Sequence, residues 1–203
     1  METEYSDVRW LDDTGLAPED LKSGFEAVLG AHSGESTAVQ KANLFAFLCR
    51  HARVAVDAND IFQDKLNHCD LLKEFNWSKY LELRNGAMKA RADESDAAWN
   101  EGYWNGHEDF GHVCPGWIRL LDKGFSGILA EAQARLASCA DAAQREFYET
   151  VRTTYAAVID YLNRLADAVE PVVADSAAVL RAIAGRPPET TREALQTIYS
   201  FFS

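Results

Sequence analysis

One stretch limits the possible folds more than any other, the segment from Asp141 to Val169. Phe147, Val151, Thr154, Val158, Leu162, Leu165 and Val169 recur there at spacings of three and four. That spacing places them on one stripe of an α-helix and excludes the period-two alternation of a half-buried strand. Tyr148, Tyr155 and Ile159 add a second apolar edge, so this helix is expected to be covered on more than one side. A helix of that kind needs other helices to pack against, and the rest of the chain supplies them.

Pro18 suits the first turn of a helix running toward Leu29, with Leu21, Phe25, Val28 and Leu29 on one face. Ser36 or Thr37 can cap a second helix carrying Val39, Ala42, Phe45, Ala46, Leu48 and Cys49, expected to continue to about Val56. Asp60 is a candidate cap for a short helix with Ile61, Phe62 and Leu66, and 67–70 reads as a loop. The run from Leu71 to Trp77 has no clear period, and a polar helix is expected from Ser78 to about Trp99. Phe125 to Leu136 and Val172 to Ile183 are helical in pattern, and Pro187-Pro188 enforces a non-helical link. In the last segment Thr190 and Glu193 have the spacing of a capping box, opening a helix with Leu195, Ile198, Tyr199, Phe201 and Phe202. No strand is expected. The fold class read from these patterns is all-α, a multi-helix bundle, with residues 1–17 as an N-terminal arm and 18–203 as one helical domain.

Charge and composition remove several function classes. The chain has 203 residues, 47% of them hydrophobic, and a formal net charge of −12. Nucleic-acid phosphates and anionic membrane surfaces would repel it, so neither is an expected partner. No apolar run approaches the roughly 20 residues of a membrane-spanning helix. The N-terminus lacks an apolar signal core, so a cytoplasmic location is expected. Cys49, Cys69, Cys114 and Cys139 are widely spaced and form no C-x-x-C pair, which suits free thiols in a reducing compartment. Between Asp93 and Asp109 there are six acids and no Lys or Arg, read as a solvated rim.

Chemistry-bearing residues concentrate in one interruption, Trp104 to Ile128. His107-Glu108 and His112 approximate a zincin H-E-x-x-H motif with one residue too many. On a helix five residues advance about 500°, leaving the two histidines roughly 140° apart, and so no metal is expected. Cys114 stands two residues from His112, a poor separation for a thiolate–imidazolium pair, and no G-x-S-x-G, Walker A or dinucleotide motif occurs anywhere. No catalytic residue is therefore assigned.

Three segments together resemble the N-terminal helical region of glycyl radical enzymes, the pyruvate formate-lyase-like group that includes diol dehydratases. They are Arg53-Val-Ala-Val-Asp57 continuing to Asp60-Ile-Phe62-x-Asp64-Lys65-x-Asn67; Gly111-His112-x-x-Pro115-x-Trp117-x-x-Leu120-Leu121-x-x-Gly124-Phe125-x-Gly127-Ile128; and Pro188-x-Thr190-x-Arg192-Glu193-Ala194-Leu195-Gln196. The resemblance covers about residues 36–203. Gly116 departs from it, because many relatives carry Asp after the proline. The resemblance implies a backbone glycyl radical relayed to a cysteine, both far beyond the matched region. No radical cofactor is thus expected in this chain, which would be a domain or fragment without catalysis of its own. It also implies that His112 can lie near substrate, with Asp109, Cys114 and Trp117 as weaker substrate-binding candidates. The aromatic last helix, with Tyr199, Phe201 and Phe202, is expected to expose an apolar surface for self-association or a protein partner. A helical regulatory protein that binds a full-length enzyme is the alternative.

Overall fold

In the computed structural model, which describes residues 10–103 and 116–202, the chain is divided into two compact units. The first comprises residues 1–69 and 116–203, and the second Asp70–Pro115.

The first unit is built around α6 (Ala142–Val169), the helix that the apolar stripe predicts. Asp141 caps it by accepting from the Gln144 N–H at 2.8 Å. Its C-terminal half is covered on more than one side, with Ala157, Tyr161, Leu162, Leu165, Ala166 and Val169 all buried. The other end of the stripe behaves differently. Phe147 is 60% exposed, although the start of α2 stands beside it through the Ser36–Glu146 contact. α1 (Pro18–Ala31) starts on its proline, with Glu19 and Asp20 in the first turn complementing the helix dipole. Ser36 caps α2 (Thr37–His51) by accepting from the Val39 N–H, and its hydroxyl also donates to Glu146 of α6 at 2.6 Å. α5 (Trp117–Ser138) and α7 (Ala174–Gly185) complete the packing around α6. One continuous core joins Leu120 and Phe125 of α5, Leu162, Leu165 and Val169 of α6, and Leu180 and Ile183 of α7.

Two expectations for residues 52–67 need correction. α2 ends at His51, and Arg53–Val54 forms a short strand, β1, antiparallel to β2 (Leu66–Asn67). The short helix expected from Asp60 does not form; Asp60 lies in a loop held by side-chain amides. The β-branched Val54 and Val56 suit this extended path better than a helix end.

The arm before α1 is held onto these elements. Trp10 bridges Ala55, the Leu11 N–H donates to Val54 O at 2.9 Å, and Leu16 N–H donates to His51 O at 2.8 Å. A Cβ on Gly15 would stand 2.5 Å from His51 O and 2.7 Å from the Arg53 nitrogen. Only glycine lets the arm come this close. Arg164, projecting from α6, donates to the carbonyls of Cys49, Thr14 and Ala52, the last at 2.9 Å. A single guanidinium thereby ties α6 to the carbonyl end of α2 and to the arm.

The second unit holds α3 (Leu71–Asn85) and α4 (Lys89–Asn100). The single polar helix expected from Ser78 to Trp99 is broken at Gly86, whose ψ of −106° is not helical. Arg84 pairs with both carboxylate oxygens of Asp96 at 2.6 and 2.7 Å, and Lys89 pairs with Asp93. These acids from the Asp93–Asp109 run are thus compensated within their own unit.

Candidate functional site

Of the four substrate-contact candidates, Asp109, His112 and Cys114 lie outside the described residues. Trp117 is described. It opens α5, where the Leu120 N–H donates to Gly116 O at 3.0 Å, and its half-buried indole packs against the core. Beside it Ile118 is 88% exposed.

α5 is not a continuous helix. At Gly124 the backbone takes φ 65° and ψ 177°, a conformation nearly exclusive to glycine, and the helix direction changes. The Arg186–Pro187 backbone lies against this kink. A Cβ at 124 would stand 2.9 Å from Pro187 Cα and 3.0 Å from its nitrogen. The kink lets Trp117 precede one helical segment while Phe125, 1% exposed and 6.3 Å from the Tyr155 ring, roots the next in the core.

Pro187 leads into α8 (Thr191–Phe202), where the capping box expected from the sequence forms. The Glu193 N–H donates to Thr190 Oγ1 at 3.2 Å, and the Glu193 carboxylate accepts from the Glu189 and Thr190 N–H groups. Arg186 adds a bidentate pair with both oxygens at 2.9 Å. The guanidinium hydrogen bonds, reinforced by those backbone donors, lower the Glu193 carboxyl from 4.5 to about 2.

One turn on, Gln196 donates to Gln63 O at 2.8 Å and to Ser200 Oγ at 3.0 Å, and its oxygen accepts from the Gln63 N–H at 3.2 Å. The Gln63 side chain donates in turn to the carbonyls of Asp57 (2.7 Å) and Asp60 (3.0 Å). Two buried glutamines thus fold the 57–66 loop and fasten it to α8. Phe62 then stacks on Tyr199, with ring centroids 4.6 Å apart. Gln63 was not a sequence candidate. Its only signal is a lone amide beside an Ile-Phe pair, which also suits any surface loop.

The consequence for α8 is an inverted helix. Its buried residues include Glu193, Gln196, Thr197 and Ser200, while Leu195 and Tyr199 are 42% and 49% exposed. Of the expected apolar surface, Tyr199 is therefore exposed; the side chains of Phe201 and Phe202 lie outside the described residues. Across the loop Ile61 is 70% exposed.

Burial pushes the Cys49 thiol up to about 12, which keeps it protonated and unreactive at neutral pH. Glu193 is held as a carboxylate by its ion pair and cannot deliver a proton near neutrality. Among the described residues no group of three or more His, Cys, Asp or Glu side chains could hold a metal, and no helix is long and apolar enough to cross a membrane.

Parts of the three segments meet near the start of α8, with Gly124 against Pro187 and the 57–66 loop bound to Gln196. Residues 34–203 match the family model described as pyruvate formate lyase-like, and the chain belongs to that family. Two solved structures share its fold. One is a glycyl radical enzyme from Archaeoglobus fulgidus, with TM-score 0.66 and 14% identity, over 93% of this chain and 32% of that one. The other comes from a study of 1,2-propanediol dehydration in Roseburia inulinivorans, with TM-score 0.59 and 17% identity, over 88% of this chain and 28% of that one. The chain thus spans about a third of the length of the structures it matches. No curated protein sequence matches it.

Proposed function

We propose that this chain is the N-terminal helical part of a glycyl radical lyase of the dehydratase kind, acting in anaerobic cytoplasmic metabolism and carrying no radical chemistry of its own. The observation that supports this reading most directly is the family match through residues 34–203 in a chain only about a third as long as the solved enzymes. In this reading the radical glycine and the hydrogen-abstracting cysteine belong to polypeptide outside these 203 residues. The segment ending at Trp117 forms one wall of the substrate site, with His112 as the leading polar contact and Asp109, Cys114 and Trp117 beside it.

The test is anaerobic. The isolated chain, exposed to a glycyl-radical-activating system, is expected to give no organic radical signal by electron paramagnetic resonance and no turnover of 1,2-propanediol. Either a radical on this chain or turnover by it alone would overturn the reading.

A further inference from the structure

The passage from β2 into α3 holds the only two residues other than glycine with positive φ among the described residues, and they are adjacent. Cys69 stands at φ 50° and Asp70 at φ 56°. Left-handed backbone is uncommon for a residue with a side chain, and cysteine is not among the types enriched there. The two compact units also divide at this point, between Cys69 and Asp70. There is no linker: β2 ends at Asn67 and α3 begins at Leu71. The direction in which α3 leaves β2 is therefore set by the backbone angles of residues 68–70.

Asp70 is out of place in a second way. Its carbonyl accepts from the Glu74 N–H at 3.0 Å, which makes it the N-cap residue of α3. Ser36 and Asp141 hold the same position on α2 and α6. Both are extended, at φ −61°, ψ 154° and φ −80°, ψ 132°, and each side-chain oxygen accepts from the N–H three residues on. Asp70, at φ 56° and ψ 9°, makes no side-chain cap bond. On the pattern of the other two helices its target is the Lys73 N–H, and the left-handed backbone withholds the carboxylate from it. What opposes the capped form is the side-chain oxygen of Asn67, which accepts from the Cys69 N–H at 3.4 Å and from the Cys69 thiol at 3.3 Å. Two arrangements thus compete. One keeps the Asn67 turn at the cost of two strained residues; the other gives up the turn, relaxes both residues and gains the cap.

We propose that residues 67–70 form a two-state joint, latched by Asn67 in its left-handed form and, in its other form, extended with Asp70 capping α3 at the Lys73 N–H. Exchange between the forms turns the direction in which α3 leaves β2. A change in a few dihedral angles at an element end is how a hinge works, and here it falls where one compact unit gives way to the next.

The experiment uses the whole 203-residue chain, isotopically labelled, and reads the joint by nuclear magnetic resonance. In the natural chain relaxation dispersion is expected at residues 67–74, where the two forms exchange. Cys69→Gly/Asp70→Gly removes the strain of the left-handed form and the cap of the other, and should abolish that dispersion. Cys69→Val, close in size but β-branched and disfavoured in left-handed backbone, should favour the capped form and slow hydrogen exchange at the Lys73 amide by about tenfold or more. Adding Asp70→Ala to it should remove that protection. Residual dipolar couplings of α3, referred to those of α6, should differ between the glycine and valine variants. Absence of dispersion at 67–74 in the natural chain overturns the proposal without any variant having to fold. Lys73 exchange that is unchanged by Cys69→Val, or protection that survives Asp70→Ala, overturns the capped form. Couplings of α3 common to both variants overturn the change of direction.

Discussion

Gly124→Ala is the substitution whose cost follows most directly from the structure. At φ 65° and ψ 177° a residue with a side chain carries roughly 1–3 kcal/mol of backbone strain. The new methyl would also meet backbone on its far side, 2.9 Å from Pro187 Cα and 3.1 Å from the Arg186 carbonyl carbon. Backbone cannot rotate aside as a long side chain can, so overpacking adds roughly 1–3 kcal/mol. Alanine recovers about 0.4–1 kcal/mol by stiffening the unfolded chain. The net expectation is a loss of about 2–5 kcal/mol. Urea unfolding followed by circular dichroism at 222 nm would measure it, with hydrogen exchange along α5 and α7 showing whether the loosening is local. Gly30→Ala is the internal control. It lies in a helix, has no positive φ, and a Cβ added there would have nothing within 4 Å, so it should be neutral or stabilise by about 0.5–1 kcal/mol. If Gly124→Ala fell within about 1 kcal/mol of the natural chain, the kink would not be held by the Pro187 contact and the reasoning would fail.

Other perturbations follow from the same contacts. Arg164→Met removes a half-buried guanidinium that serves three carbonyls and should cost about 2–4 kcal/mol in urea unfolding; an unchanged midpoint would refute its role as the tie between the arm, α2 and α6. Gln196→Leu strands the buried N–H and C=O of Gln63. It should cost about 2–4 kcal/mol and sharply accelerate exchange at the Gln63 amide, whereas unaltered exchange there would show that the clamp does not hold the loop. Because the folded Glu193 carboxyl is depressed to about 2, its contribution is present above the unfolded value of about 4.3 and is lost as pH falls toward about 2. Glu193→Gln should therefore be less stable than the natural chain at pH 7, with the gap closing between about pH 4.5 and 2; a gap independent of pH would refute the ion-pair account.

The helices were legible where period and caps agreed. The stripe of α6, Pro18 at the start of α1, Ser36 before α2 and the Thr190–Glu193 box all record local physics, and local physics is written in adjacent residues. The failures lie where distant groups decide. Residues 53–67 become two short strands and a loop because the arm and Gln196 supply partners that no local window contains. The kink at Gly124 was hidden for a related reason, since the motif displays a glycine but not the Pro187 backbone that demands it. Phe147 stays exposed although it lies on the stripe, because periodicity assigns a face and does not report what packs on it. Of the candidate site, Trp117 opens a helix that the sequence pattern begins only at Phe125, and Gln63 has no local signature.

The way the arm is held bears on how this protein can be dissected. The family match begins at residue 34, a natural place to cut for anyone wishing to express the family portion alone. Such a cut would take away the Thr14 carbonyl from Arg164, the Thr14 hydroxyl that accepts from the Val54 N–H at 3.1 Å, and the buried Leu21 and Phe25. The excised piece would open a cleft along α2 and leave an edge strand at β1 ready to recruit foreign backbone. Here the boundary of the family match and the boundary of the packed unit fall at different places in the chain.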